Sequence, residues 1–231
     1  MLDYTIFNER PESQDRAIKE LQAMGYQYIP RAEAEKKRGH LSRVLFPDVM
    51  HEFLSSQSFT YRGKVCPFSD DAIGEAIREL DAPLEKGLMY ASKAVYDRLV
   101  YGKSCEIHLY DGNAQSFDIS YIDWEHPEKN IWQVTEEFSV ERLNGKFARP
   151  DIVILVNGIP LAVIECKKAS VDVEESVKQN VRNWQPDYIP QLFKFAQLVI
   201  AANPDTVKYG TAGTTQEYYC KWHEEDREWQ E

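Results

Sequence analysis

The chain has 231 residues, 43% of them apolar and 28% charged, which is enough to bury a core of ordinary size and excludes disordered, collagen-like and low-complexity classes. Its 27 basic residues face 38 acidic ones, a net charge of −11, so no whole-molecule positive field draws it onto nucleic acid and a simple DNA-coating protein is excluded. No apolar run approaches the roughly 18–20 residues of a membrane span, and Met1 to Pro11 lacks the basic and apolar blocks of a signal peptide, so the chain reads as cytoplasmic with no membrane partner.

Behind Ser13, which can cap a helix, Ala17, Ile18, Leu21 and Met24 fall at helical spacing. Tyr26 to Ile29 is a short strand, and Glu33 to Arg38 a charged patch in which Lys36, Lys37 and Arg38 fit a solvated loop better than a phosphate contact. Between Leu41 and Leu54, Pro47 either breaks a helix or opens a second one. Ser69, the acids Asp70 and Asp71, and then Ile73, Ala76, Ile77 and Leu80 predict an N-capped amphipathic helix that ends by Pro83. Leu88, Ala91, Val95 and Leu99 predict another, closed by Gly102. Residues 1–100 thus read as a mainly helical region packed on a core formed by 101–231, the whole making one structural domain.

After Gly102 the apolar period changes from 3.6 to 2. Glu106 to Tyr110 and Phe117 to Tyr121 flank the turn residues Asp111-Gly112-Asn113, and Val134 to Val140 is a third strand. From Arg149 to Lys168, two apolar β-branched runs meet at Asn157-Gly158, the strongest short hairpin signal; both are apolar on both faces, as central strands are. Val173, Val177, Val181 and Trp184 mark a helix, Gln197 to Ala202 a further strand, and Glu224 to Glu231 a solvated acidic helix end. This order predicts an α/β fold, a mixed sheet flanked by helices. The cysteines (66, 105, 166, 220) and histidines (40, 51, 108, 126, 223) have no metal-ligand spacing and read as isolated packing, surface or capping residues.

Asp151, Glu165 and Lys167 stand out. Each lies at the end of an otherwise apolar strand, where an unpaired buried charge costs several kcal/mol, so the three should pair, bind a cation or line a cleft. Glu165 and Lys167, two apart, share a face of their strand. In an ideal two-residue hairpin Asp151 would sit opposite Ile164 and Glu165 would point away from it. A one-residue shift is needed, from a three-residue loop or a bulge at Gly158. With that shift two carboxylates and an ammonium converge. Two hard oxygen ligands, completed by water and a substrate phosphate, are how Mg²⁺ is usually held, and the chemistry implied is phosphodiester hydrolysis. From spacing alone, a structural salt bridge at a sheet edge accounts for the same residues.

Pro150-Asp151, thirteen intervening residues and Glu165-Cys166-Lys167 resemble the PD-(D/E)xK nuclease motif. Pro47-Asp48, Pro186-Asp187, Pro204-Asp205 and Glu35-Lys36-Lys37 match its halves too, but only 150–167 lies on a strand-turn-strand. The whole stretch Arg149 to Lys167 is similar to the N-terminal nuclease domain of the type I restriction enzyme motor subunit. So are residues 67–70, 121–124 and 134–138 upstream, and Arg182-Asn183, Pro186-Asp187, Ile189-Pro190 and residues 209–211 downstream. The resemblance implies a restriction-endonuclease-like fold and a type I deoxyribonuclease that cuts duplex DNA without sequence preference, using Mg²⁺ or Mn²⁺. It implies partners as well: methyltransferase and specificity subunits, and translocase domains of the same full-length chain. It assigns Asp151 and Glu165 to the metal, Lys167 to catalysis, and the Cys166 backbone carbonyl to a further ligand position. Glu12 or Asp15 would supply an acidic residue from the first helix. Related nucleases often carry Gln-xxx-Tyr after the Lys strand; here Gln179 is followed by Asn183, on a ridge with Ser176 opposite the valine stripe, and a solvated ridge and a DNA-facing one fit it equally. No GxxxxGK[ST] phosphate loop occurs, so ATP is expected only for the absent translocase region, and the charged ending fits an excised N-terminal part. Two rivals stay open: a non-catalytic coupling module of the same complex, and a free-standing repair or junction nuclease.

Overall fold

The computed structural model describes residues 12–222; His223 and the acidic tail from Glu224 lie outside the described residues, as does the side chain of Glu12. Helix α1 (Glu12–Ala23) leads through Gly25, at φ 100°, into β1 (Gln27–Ile29). The charged patch forms a helix, α2 (Arg31–Arg38), instead of the loop expected, and it ends at Gly39. Arg38 is buried beneath it: the guanidinium lies 4.0 Å from the centre of the Phe138 ring and donates to the Ser139 carbonyl at 2.8 Å. A cation is tolerated there because an aromatic face and main-chain carbonyls replace water. Pro47 opens a helix at its first position, where the missing N–H costs nothing: α3 (Pro47–Ser55).

The hairpin β2 (Ser58–Tyr61) and β3 (Lys64–Pro67) precedes α4 (Asp70–Leu80), whose Ser69 cap accepts from the Ala72 N–H. Then come α5 (Leu88–Tyr101), stopped by Gly102, and the antiparallel pair β4 (Lys103–His108) and β5 (Ala114–Ile119). The expected 134–140 strand is divided at Glu137, at φ 50°, into β6 (Trp132–Glu136) and the short β7 (Val140–Glu141), which pairs with β8 (Phe147–Ala148). The remaining elements are β9 (Ile152–Val156), β10 (Ile159–Cys166), α6 (Val173–Asn183), the single-turn α7 (Pro190–Phe193), β11 (Leu198–Ala202), β12 (Val207–Gly210) and β13 (Cys220–Lys221).

Seven strands form one sheet in the order β1-β6-β9-β10-β11-β12-β13. β1 runs parallel to β6 and β11 parallel to β10, while the β6-β9-β10 and β11-β12-β13 neighbours are antiparallel. The sheet is therefore mixed, with helices on both faces, a restriction-endonuclease-like α/β arrangement. On one face α1 sets Ile18 against Val134, Ile152, Ile164 and Cys166. On the other, Val153, Leu155, Val163 and Val199 meet Val173 and Val177 of α6 in a larger core that also takes in Ile29, Phe46, Leu80 and Leu99. Residues on both sides of position 100 share that core, and β1 is itself a strand of the main sheet. No helix among the described residues is long and apolar enough to cross a membrane.

The β9-β10 hairpin is central. Asn157 and Gly158 both take positive φ, 52° and 80°, the two-residue turn whose twist suits antiparallel strands, and Val156 pairs directly with Ile159. The turn itself is regular, so neither a three-residue loop nor a bulge at Gly158 occurs. The required shift lies further along, between Pro160 and Ala162, with Leu161 as the extra residue. Pro160 explains the place: it has no N–H to give to the ladder, and proline in sheets is confined to such irregularities and edges. Beyond the shift Ile164 faces Ile152, which aligns Glu165 with Asp151 across the pair.

Candidate catalytic site

Asp151 sits just before β9, held by a ladder-like bond from the Glu137 N–H to its carbonyl at 2.9 Å. Its Oδ2 accepts from the Cys166 N–H at 2.7 Å, which draws the carboxylate onto the end of β10. Glu165, one residue earlier on β10, is 0% exposed. Its Oε2 accepts from Gln179 Nε2 at 2.6 Å and its Oε1 from Asn183 Nδ2 at 3.0 Å. Lys167, two residues on and half-buried, donates from Nζ to Gln179 Oε1 at 2.7 Å. The two carboxyl groups and the ammonium thus lie on the α6 side of the sheet, at its end, and Gln179 bridges the Glu165 carboxylate to the Lys167 ammonium.

Electrostatics follow from that crowding. Burial raises the Glu165 carboxyl well above the ordinary range, and the neighbouring Asp151 carboxylate raises it further, while Lys167 and Arg182 pull the other way. Burial first, then both carboxylates, push the Cys166 thiol up to about 12, so it is a packed, unreactive group. Its side chain belongs to the opposite face, with Ile18 and Ile164.

Helix α6 supplies the amides. Asp172 caps it by accepting from the Glu174 N–H at 3.0 Å, and the first turn carries Glu174 and Glu175, favourable at the positive end of the helix. Val173 and Val177 are buried as expected, but Ser176, Asn180 and Asn183 are buried too. The ridge is therefore not solvated. It turns toward the carboxylate end of the sheet, where Glu165 needs N–H donors, and Asn183 supplies one of them directly. The spacing of Gln179 and Asn183, one helical turn apart, was the visible signal for this pair, while the charge it serves lies on another element.

Of the two α1 acids expected near the site, only the Asp15 side chain lies among the described residues. Asp15 is solvent-exposed, and among the described residues no third Asp, Glu, His or Cys joins the pair in a group that could hold a metal; the Glu12 side chain lies outside the described residues. Instead Ser13, inside the helix and so not its cap, donates from Oγ to the Lys167 carbonyl at 2.9 Å, and Gln14 donates from Nε2 to the Asp151 carbonyl at 3.2 Å. Neither contact has a signal in the sequence, because both run to main-chain atoms more than a hundred residues away. His40, His51, His108 and His126 are exposed, the described cysteines are unpaired, and Tyr218 and Trp222 are exposed while Tyr219 is packed in the core.

Comparison with known proteins gives the frame for this arrangement. The chain is 30% identical over 124 residues to the type I restriction enzyme SsaAORF53P endonuclease subunit of Staphylococcus saprophyticus, covering 54% of this chain and 12% of that protein. It is 23% identical over 214 residues to the type I restriction enzyme HindI endonuclease subunit of Haemophilus influenzae, covering 89% of this chain and 19% of the relative. A third relative, the type I restriction enzyme EcoprrI endonuclease subunit of Escherichia coli, is 30% identical over 139 residues, 59% of this chain and 41% of its own length. The chain therefore matches less than half the length of each of these relatives. The family described as type I restriction enzyme R protein N terminus matches residues 6–218, nearly the whole sequence. With that coverage and with relatives of that kind, the chain belongs to the type I restriction enzyme R protein N-terminal family.

Proposed function

We propose that this chain is the nuclease unit of a type I restriction enzyme and hydrolyses phosphodiester bonds of duplex DNA, with no sequence preference of its own, at a divalent-cation site formed by Asp151, Glu165 and the Cys166 carbonyl. The observation that carries the reading is Glu165: a fully buried carboxylate set beside a second one at a strand end, with both its oxygens held by side-chain amides. Two like charges are costly to hold together without a cation. The donor set suits Mg²⁺ or Mn²⁺, since carboxylate and carbonyl oxygens are hard ligands and the remaining positions fall to water and a phosphate oxygen.

When bound, the ion supplies charge neutralisation at the scissile phosphate and makes a water a stronger nucleophile at neutral pH. The protein supplies the rest. Gln179 and Asn183 fix the rotamer of Glu165, and the Cys166 N–H fixes that of Asp151, so the ligand oxygens are oriented before substrate arrives. Lys167, held by Gln179 and half-exposed, presents its ammonium at the mouth of the site, where it can hydrogen-bond the attacking water or a non-bridging phosphate oxygen and offset the charge that develops there. A net charge of −11 supports delivery of DNA by partners: a translocase region of the same polypeptide, with methyltransferase and specificity subunits.

The test is plasmid cleavage by the assembled enzyme with Mg²⁺ and ATP. Asp151→Asn, Glu165→Gln and Lys167→Ala should each abolish cutting while DNA-stimulated ATP hydrolysis persists. Undiminished cutting by any of the three would refute the assignment, and would favour a role for this fold in coupling to the translocase.

A further inference from the structure

We infer that Ser13 and Gln14 of α1 are positioning residues that set the distance between the strand ends carrying the two carboxylates and the lysine. Ser13 Oγ bonds to the carbonyl of Lys167, and Gln14 Nε2 to the carbonyl of Asp151, across sequence separations of 154 and 137 residues. Consecutive residues of one rigid helix thereby hold the main chain of two of the three motif residues, one on β9's lead-in and one just past β10.

Satisfying a stray backbone group does not explain the Gln14 contact. The Asp151 carbonyl already accepts from the Glu137 N–H at 2.9 Å. Gln14 is 0% exposed and its Oε1 has no partner, so the side chain leaves a buried carbonyl oxygen unpaired in order to make one extra bond. A leucine would fill the same space without that penalty. The amide orientation is set by the bond itself, because turning it over would aim Oε1 at another carbonyl oxygen. Downstream, Ile18 anchors the helix against Val134, Ile152, Ile164 and Cys166, so α1 is seated on the same two strands it brackets. Ligand oxygens must be held within about 0.5 Å of a productive geometry. A bracket across the strand ends is what resists splaying when two carboxylates repel each other.

This inference rests on the metal-dependent reading above, and the experiment separates the two. Mn²⁺ binding to the purified full-length protein is followed by its electron paramagnetic resonance signal, with thermal melting in chelator and plasmid cleavage by the assembled enzyme alongside. Gln14→Leu should melt no lower than the unsubstituted protein in chelator, yet bind Mn²⁺ and cut DNA about tenfold or more weakly, the usual loss when a supporting contact of a metal site is removed. Ser13→Ala should show the same metal and cleavage defects, and Ser13→Thr, which keeps the hydroxyl, should restore both. Three results overturn the inference alone: wild-type binding and cutting by Gln14→Leu, a lowered melting temperature for that variant in chelator, or equal impairment of Ser13→Ala and Ser13→Thr. Absence of any Asp151-dependent Mn²⁺ signal in the unsubstituted protein would instead overturn the metal site, and the bracket with it.

Discussion

Glu165→Gln should make the metal-free protein more stable and the metal-loaded comparison less favourable, in opposite directions and by amounts that the structure sets. The carboxylate is fully buried and lies against Asp151. Holding such a group in the folded state costs free energy at neutral pH whether it stays ionised or takes up a proton, and two amide hydrogen bonds return only part of it, so the neutral isostere should gain about 1–3 kcal/mol. The isosteric amide can be accommodated: Asn183 Oδ1 has no partner, so rotating the Asn183 amide offers an acceptor to the new NH₂ while Gln179 keeps its bond to Lys167. At about 2–4 °C per kcal/mol for a chain of this size, melting in chelator should rise by about 2–12 °C. In Mg²⁺ at a hundred times its dissociation constant, wild type should gain about 2.7 kcal/mol and the variant nothing. Differential scanning calorimetry in chelator and in Mg²⁺ reads both effects. A variant that melts below wild type in chelator, or that gains as much from Mg²⁺, would refute the reasoning.

Lys167→Ala should bind Mn²⁺ with wild-type affinity or better yet cut no DNA, since it removes a cation beside the carboxylates; calorimetric titration beside a cleavage assay checks the split. Gly158→Ala should destabilise by about 2–4 kcal/mol, because φ of 80° is strained for alanine and the new Cβ would lie 2.6 Å from the Phe46 carbonyl oxygen; a urea melt measures it. Asn157→Ala should cost about 2–4 kcal/mol, as its buried amide accepts from the Ile131 N–H at 2.7 Å and donates to Tyr121 O and Asn130 Oδ1; truncation leaves the Ile131 N–H and the Tyr121 carbonyl without that partner, while Asn130 Oδ1 keeps the Asp123 N–H. The Lys208 ammonium bonded to Glu174 holds that carboxyl below its usual range, so the pair's contribution is full above the unfolded carboxylate pKa and is lost as pH falls through the depressed folded value. Lys208→Met should therefore reduce stability at pH 7 by no more than about 1 kcal/mol, the pair being partly exposed, and narrow the gap to wild type on acidification below about pH 4.

Much of the architecture is legible in the sequence because apolar periodicity and turn chemistry report it directly: the Asn157-Gly158 turn, the two central strands, the Ser69 cap and the Gly102 stop all stand where the residues put them. The need for a one-residue shift in the hairpin followed from the side-chain period of two, since Asp151 and Glu165 could meet in no other register. Its place did not follow, because the turn signal drew attention from Pro160, whose missing N–H makes the next residue the one to bulge. Arg38 escaped because a run of Lys and Arg looks solvated unless the aromatic ring that will cover it, Phe138, is known to be near. Ser176, Asn180 and Asn183 were missed as buried residues for a related reason: hydrophobic patterning locates apolar contacts, whereas a helix facing a carboxylate needs amides and hydroxyls inward. The contacts of Ser13 and Gln14 lie furthest from sequence reasoning, being side chains bonded to main-chain atoms that carry no residue identity.

The central claim is that Asp151 and Glu165 form one divalent-cation site. Titrating Mn²⁺ into the unsubstituted protein and into Asp151→Asn, with the free-ion resonance as the readout, measures it most directly. The account predicts saturable binding that is lost, or weakened by at least about tenfold, when the Asp151 carboxylate becomes an amide. Equal binding by the two proteins, or no binding by either, would contradict it.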